Sequence, residues 1–422
     1  MKVLFALRLY SGLESSVIQK KWVPTGIPTI YKLLEGMEKK HEVKVLLFHK
    51  IPSDMQYSNY KEKKDISVKF IQFKNSFTVI SSLFDKKLNK LQIFLDEFLQ
   101  CIKLIKYINI EKPDLIYIDN ANIWSAGIIT RIYKTPVVFR LLGIYPYISK
   151  LSSKNINIYQ KFLKWSFRAP FAQVINTNDG SGKNSDVTKL LRKNTNYKLL
   201  INGVETPKIK KNVNKENRLN INSKSLVCLF IGKLETYKGC ITFVETMIVA
   251  LQKGLNIHGI IVGEGSQKNK IIEMINSTSY KESFSMVGNV AHKNIFYYHS
   301  ISDLYISLNH LGNMSNTNLE AVKFGQVVIM PKNLPTATDR EDIKLFGEDK
   351  ILWIDNPADI KGLIKHIRNI INNKNLLTLY KNNMLHFDDL LSSWDKRINY
   401  EILIMEELLK TKKIDKIIQR QQ

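Results

Sequence analysis

A chain of 422 residues, 44% apolar and 24% charged, carries enough core material for two or three globular domains and is not a disordered or fibrous sequence. Three irregularly spaced cysteines, Cys101, Cys228 and Cys240, exclude a disulfide framework and a zinc knuckle and favour a reducing cytoplasm. The excess of 63 Lys+Arg over 38 Asp+Glu, a net +25, fits either a solvated lysine-rich surface or attraction to polyanions and anionic lipid. No zinc spacing or RNP-like string supports nucleic-acid binding. No apolar stretch approaches the roughly 20 residues that span a bilayer.

Met1–Arg8 (MKVLFALR) reads as a buried strand, too short in its apolar run for a signal peptide. A helix follows near Pro28–Lys40, with proline suited to a first helical position, and HEVKVLLFH from His41 reads as a second strand. The stretch Ser76–Ile110 mixes Leu, Ile and Phe with Lys at helical spacing. It reads either as an amphipathic helix lying in a lipid headgroup plane or as a helix covering the sheet with its lysines in water. PDLIYID (113–119), TPVVFRLLG (135–143) and AQVINTN (172–178) are further short apolar runs between periodic segments, the pattern of a parallel sheet covered on both faces.

Residues 208–225 (KIKKNVNKENRLNINSKS) are polar and read as a linker. Alternation then restarts with SLVCLFIG, a helix from Lys238, IHGIIVGEG, SFSMVGNV, DLYISLN, a helix at Glu320 and VVIMPK; from Leu376 on the chain reads as helices. The expected fold class is therefore α/β with two doubly wound, Rossmann-like parallel-sheet domains facing a cleft, with chemistry in the strand-to-helix loops. The expected organisation is 1–205 as an N-terminal domain, 206–225 as linker, 226–375 as a C-terminal domain, and 376–422 as helices packing back on the N-terminal domain.

Four loops carry candidate chemistry. In FIGKLETYKG (230–239), Lys233 and Lys238 flank a helix N-terminus, an arrangement that suits a diphosphate or, equally, two solvated lysines. In VGEGSQ (262–267), Gly263 and Gly265 permit either close backbone approach to a ligand or an ordinary turn. In FSMVGNV (284–290), Gly288 ends a strand, and main chain at Asn289 and Val290 can pair with a base edge or form a plain turn. In GNMSNTNLEAVKFG (312–325), Glu320 is read into the first turn of a helix, as a dipole-favoured acid or an acceptor for a vicinal diol; amides around Asn318 and Leu319 would take a phosphate.

The order GKLETYKG, VGEG, MVGNV and DLYISLN…NTNLEAVKFGQVVIMP resembles the C-terminal nucleotide-binding domain of retaining GT-B glycosyltransferases of family 4. INGVET, GIPTIYKLLEGMEKKHEVKVLLF, KPDLIYID and TPVVFRLLG extend the likeness through the N-terminal half. The resemblance implies a nucleoside-diphosphate sugar as substrate rather than a cofactor. Lys233, where the family has an arginine, and Lys238 would hold the donor pyrophosphate. Glu320 would hold the ribose, main chain near Val290 the base, and Gly26, Gly265 and Gly288 would let backbone approach the donor. No D-x-D pattern occurs, and no metal is expected.

The chain departs from the family's pattern twice. The first glutamate of an E-x7-E pair would stand eight residues before Glu320, at Gly312; Asn313, Ser315 and Asn316 there offer neutral hydrogen bonds to sugar hydroxyls instead. Leu142 stands where many members have histidine, and Arg140 is the nearest polar group, either a donor or acceptor contact or one half of an ion pair. The expected activity is retaining transfer to a glycan or lipid-linked glycan in bacterial surface-polysaccharide assembly. The expected setting is cytoplasmic, peripheral on an anionic membrane. The rivals are a catalytically silent GT-B protein supporting a partner enzyme, and a nucleic-acid-binding protein.

Overall fold

The computed structural model describes residues 1–50, 60–84, 89–144, 146–151, 156–205, 219–290, 292–334, 340–385, 387 and 391–421. It divides into two units: residues 1–177, 184–201 and 394–422 form the first, and 178–183 and 202–393 the second.

In the first unit the order is β1 (Lys2–Arg8), α1 (Ser11–Gln19), α2 (Pro28–Glu38), β2 (Glu42–Phe48), β3 (Ile66–Val68), β4 (Phe77–Ile80), α3 (Lys90–Glu111), β5 (Leu115–Asp119), α4 (Ile123–Ile132), β6 (Val137–Leu141), α5 (Pro146–Leu151), α6 (Ile158–Phe167), β7 (Gln173–Thr177), α7 (Asn184–Leu190) and β8 (Tyr197–Leu200). Among the described residues the sheet order is β3-β4-β2-β1-β5-β6-β7-β8, parallel except for the β3–β4 pair. Strand alternation builds a core on each face. Val3, Phe5 and Leu7 of β1 join α2 on one side, and Leu4 and Ala6 join α3 and α4 on the other.

In the second unit β9 (Leu226–Ile231), α8 (Cys240–Gln252), β10 (Ile257–Val262), α9 (Lys268–Asn276), β11 (Phe284–Gly288), α10 (His292–Ser300), β12 (Leu304–Ile306), α11 (Asn316–Lys323), β13 (Val327–Pro331), α12 (Glu341–Phe346), β14 (Leu352–Ile354), α13 (Ile360–Asn372) and α14 (Lys374–Leu385) follow. The described sheet order is β11-β10-β9-β12-β13-β14, all parallel. Strand order reverses on either side of β9, so a crevice opens beyond the ends of β9 and β12, where open α/β sheets bind ligands.

The last helix, α15 (Trp394–Gln421), belongs to the first unit, where Trp394, Ile398 and Ile402 complete the core beside α2. Gly36 of α2 is small because Ile398 lies against it: a Cβ there would stand 2.8 Å from that side chain.

Several boundaries differ from the sequence reading. The first 3-D unit ends at Ile201 and recovers the chain at Trp394, so α14 stays with the second unit and only α15 returns. Residues 178–183 join the second unit although they follow a strand of the first. The stretch read as one helix over 76–110 is β4 followed by α3, because the residues of FTVI are all buried in the sheet. The short strands β3, β8 and β14 carry too few residues for a periodic signal, and helix α1 (SGLESSVIQ) has too few large apolar side chains for one. Most of the linker, 206–218, lies outside the described residues. Among those described, no helix is long and apolar enough to cross a membrane.

Candidate functional site in the second unit

Three loops at the carboxyl ends of β9, β10 and β11 are laced together by main chain. Gly232 N–H donates to Val262 O at 3.0 Å, Leu234 N–H to Glu264 O at 2.9 Å, and Gly263 N–H to Gly288 O at 2.9 Å. A Cβ at Gly263 would stand 1.9 Å from Gly232 O, and one at Gly265 2.4 Å from Leu234 O. These glycines permit close packing of the neighbouring loop, the turn alternative of the sequence reading, with Gly265 set against Leu234. Gly288 takes a left-handed φ of 77° and closes its strand. Val290 follows it in the loop before α10, with its main chain at the same end of the sheet.

Lys233 is exposed on the first of these loops. Lys238 does not open a helix: it ends a 3-10 turn (Thr236–Lys238), and α8 begins at Cys240 after the left-handed Gly239. A Cβ on Gly239 would lie 2.4 Å from that of Leu308, which fixes the turn against the end of β12, and His310 N–H donates to Tyr237 O at 2.9 Å. Burial pulls the Lys238 ammonium below its ordinary range; Asp179 raises it and Lys233 lowers it further. The two lysines therefore share one electrostatic field.

Lys238 lines a small cavity of about 30 Å³ together with Gly232, Ser307, Ser315, Thr317 and Asn318. A larger cavity, about 570 Å³, lies in the first unit between α15 and the starts of β6 to β8, at the end of the sheet opposite its strand-to-helix loops.

Helix α11 is capped by Ser315, whose hydroxyl accepts from Asn318 N–H at 3.4 Å. Leu319 N–H donates to Ser315 O at 3.0 Å. The two amides expected to take a phosphate are already used, and the helix start leaves those of Asn316 and Thr317 for a ligand. The Asn318 side chain is buried and structural: it accepts from Tyr305 Oη at 3.0 Å and donates to Asn313 O at 2.8 Å. Leu319 is core. Asn313, read as a sugar contact, is fully buried and donates to Pro331 O and Asp342 Oδ2. Asn316 Oδ1 accepts from Asn202 of the INGVET segment at 2.7 Å.

Glu320 sits in the second turn of α11, not the first, and is 2% exposed. Its Oε1 lies 2.8 Å from His292 Nε2, while its Oε2 is buried without a partner. An orphaned buried carboxylate oxygen is costly unless a donor arrives, which makes this atom a ready acceptor for a hydroxyl.

The missing carboxylate at Gly312 has a steric explanation. A Cβ there would stand 2.5 Å from Asp179 O and 2.8 Å from Ser181 N, because the 178–183 loop packs on this turn and Asp179 O accepts from Met314 N–H at 3.0 Å. The same loop places the Asp179 carboxylate in the field of Lys238, and burial raises its pKa. Asp179 and His292 were both missed in sequence. NDGSGK reads as a turn, and a lone histidine after GNVA carries no motif.

Two expected contacts belong to the first unit. Gly26 lies between α1 and α2 with a left-handed φ of 86°, not directly after the first strand. Arg140 is corrected outright: it is fully buried in β6, 3.5 Å from Glu401 Oε1, and donates to Thr177 Oγ1 at 2.7 Å and Ile175 O at 3.2 Å. It is the ion-pair alternative, not a ligand contact.

Two parallel-sheet units of this topology are the GT-B glycosyltransferase fold. Sucrose-phosphate synthase from Thermosynechococcus elongatus superposes with a TM-score of 0.69 at 14% identity, covering 97% of this chain and all of that one. HepE of Anabaena, solved in complex with UDP, gives 0.60 at 13% over 96% and 100%. The lipopolysaccharide outer core galactosyltransferase WaaB gives 0.59 at 13%, with the same coverage. Residues 211–385, the greater part of the second unit, match the model of the family Glycosyl transferases group 1. Among curated relatives, 2-deoxystreptamine N-acetyl-D-glucosaminyltransferase of Niallia circulans is 27% identical over 145 residues, 34% of this chain and 36% of its own. An uncharacterized glycosyltransferase of Methanocaldococcus jannaschii is 24% identical over 238 residues, 54% of this chain and 57% of its own. The chain thus spans from about a third to just over half of the curated relatives it matches.

Proposed function

We propose that this protein is a metal-independent glycosyltransferase that moves a sugar from a nucleoside-diphosphate donor to a glycan or lipid-linked glycan. Transfer proceeds with retention of configuration, in bacterial surface-polysaccharide assembly at the cytoplasmic face of a membrane. The observation that carries the reading is Glu320, its buried Oε2 without a partner, on the helix whose first turn lines the small cavity together with Lys238. The carboxylate accepts from a ribose hydroxyl, and the lysines hold the diphosphate. As the bond from the anomeric carbon to the phosphate oxygen breaks, its electron pair passes to the diphosphate, where the two ammonium groups stabilise the developing charge. The acceptor hydroxyl forms the new bond on the face the diphosphate leaves and passes its proton to the departing diphosphate oxygen.

The testing experiment is thermal shift with UDP, GDP and ADP, since a ligand of the native state raises the melting temperature. A rise with one of them names the base; none at millimolar concentration sinks the donor reading. NMR of the product settles the stereochemistry, and an inverted anomer would refute retention. One observation favours a second reading, a catalytically silent binding protein: the packing at Gly312 leaves no room for a carboxylate there. Nucleotide binding without donor turnover would select it.

His292 orients the Glu320 carboxylate by holding Oε1. His292→Ala is expected to weaken the nucleotide that binds by about tenfold, the cost of a hydrogen bond to a charged group. It should leave the 2′,3′-dideoxy counterpart unaffected. Calorimetry with both ligands checks this; an equal loss on both would mean that His292 acts elsewhere.

A further inference from the structure

Helix α3 is amphipathic the wrong way round over its first half. Its inner face is polar: Asp96 Oδ1 accepts from Leu83 N–H at 2.8 Å, Gln100 Nε2 donates to His49 O at 3.0 Å, and Glu97 pairs with Lys50 at 2.7 Å. The outer face carries Leu91, Phe94, Leu95, Phe98 and Ile102, at helical spacing and 42–76% exposed. By Leu104 and Ile108 the apolar side has returned to the core. Large apolar side chains gathered on one exposed stripe mark an interaction surface.

The stripe continues across the neighbouring helices as linked aromatic rings. Phe94 meets Trp124 of α4 at 5.3 Å, Trp124 meets Tyr159 and Phe162 of α6 at 5.4 and 4.4 Å, and Phe162 stacks on Trp165 at 5.2 Å. Tyr159 and Trp165 are each 40% exposed, and the Arg131 guanidinium lies 3.7 Å over the Trp165 ring. Neither α4 nor α6 contains an acidic residue, whereas α6 and its cap contribute Lys161, Lys164 and Arg168. The acids of α3's first half face inward.

We propose that this face, the outer stripe of α3 with the aromatic edge of α6, docks on an anionic lipid bilayer. Exposed aliphatic side chains enter the acyl boundary, tryptophan and tyrosine sit at headgroup level, and the cations meet the lipid phosphates. A second copy of the chain is disfavoured as occupant, because pairing this face with itself brings its cations together. The surface gives the peripheral-membrane part of the proposed function its location, and it owes nothing to the donor site.

The test is co-sedimentation of the full chain with phosphatidylcholine vesicles containing or lacking about 30 mol % phosphatidylglycerol. The wild type is expected to pellet with the anionic vesicles only, and release at about 0.5 M salt shows the electrostatic share. Phe94→Ser/Phe98→Ser should lower the bound fraction about tenfold with no loss of melting temperature, since both rings are half exposed. Lys161→Glu/Arg168→Glu, both on exposed positions, should do the same without touching the stripe. Wild type that stays in the supernatant overturns the proposal, as does a stripe variant that pellets like wild type. A dimer in light scattering that the stripe variant makes monomeric would assign the face to a second copy and overturn it too. Binding of a nucleotide in the absence of vesicle binding would sink this surface and leave the donor site standing.

Discussion

Removing Lys238 and Lys233 together is expected to lower kcat/KM by about 100-fold or more, the loss seen when a donor to a developing oxyanion is deleted. The double alanine variant should also lose the thermal shift given by the nucleotide that wild type binds. Lys238 is the more consequential of the two, because its turn is clamped between Gly239, packed on Leu308, and the main chain of His310. Its ammonium is therefore preorganised at the crevice, while Lys233 is exposed and contributes through the field. Lys238 is held below its ordinary pKa, through burial first, with Asp179 opposing and Lys233 adding to the lowering. A bound diphosphate favours the charged form and raises it again. Binding in alkaline buffer should then take up protons, which titration calorimetry in two buffers of different ionisation enthalpy measures directly. Unchanged affinity in the double variant would remove both lysines from the donor site.

Arg140→Ala is expected to cost about 3–5 kcal/mol of stability, as for other buried pairs deprived of one partner. Glu401 is fully buried, accepts from Tyr117 Oη at 2.6 Å and lies 2.7 Å from Arg397. Burial pushes its carboxyl up, and Arg140 and Arg397 more than offset this, so that it stays ionised. Taking Arg140 away leaves that charge half compensated within the sheet core. The melting temperature should fall by on the order of 10 °C. The triple change Arg140→Met/Arg397→Met/Glu401→Gln should recover much of this, because no member of the cluster then keeps an uncompensated buried charge. A loss of turnover with an unchanged melting temperature would instead return Arg140 to a substrate-contacting role.

The strand-forming runs of both units were legible because each is a continuous apolar stretch buried on both faces, as in β1, β6 and β13. Short edge strands such as β3 and β14 have three residues each and leave no such trace. Lys233, Lys238 and Glu320 could be picked out because charged residues just past an apolar strand are unusual. Their environments could not. Which oxygen of Glu320 is free depends on His292, 28 residues earlier, and the tuning of Lys238 depends on Asp179.

The sequence by itself determined the α/β class, the order of most of the strands and helices, and the loops that carry charge, since these follow from local periodicity and turn chemistry. Only the tertiary structure decided what those groups touch. It turned Arg140 from a candidate ligand contact into a buried ion pair with a helix some 260 residues later, since Glu401 lies on α15. It filled the place of an absent carboxylate at Gly312 with the backbone of the 178–183 loop. It also set the apolar stripe of α3 outward, because burial depends on which neighbours a helix meets rather than on its own pattern.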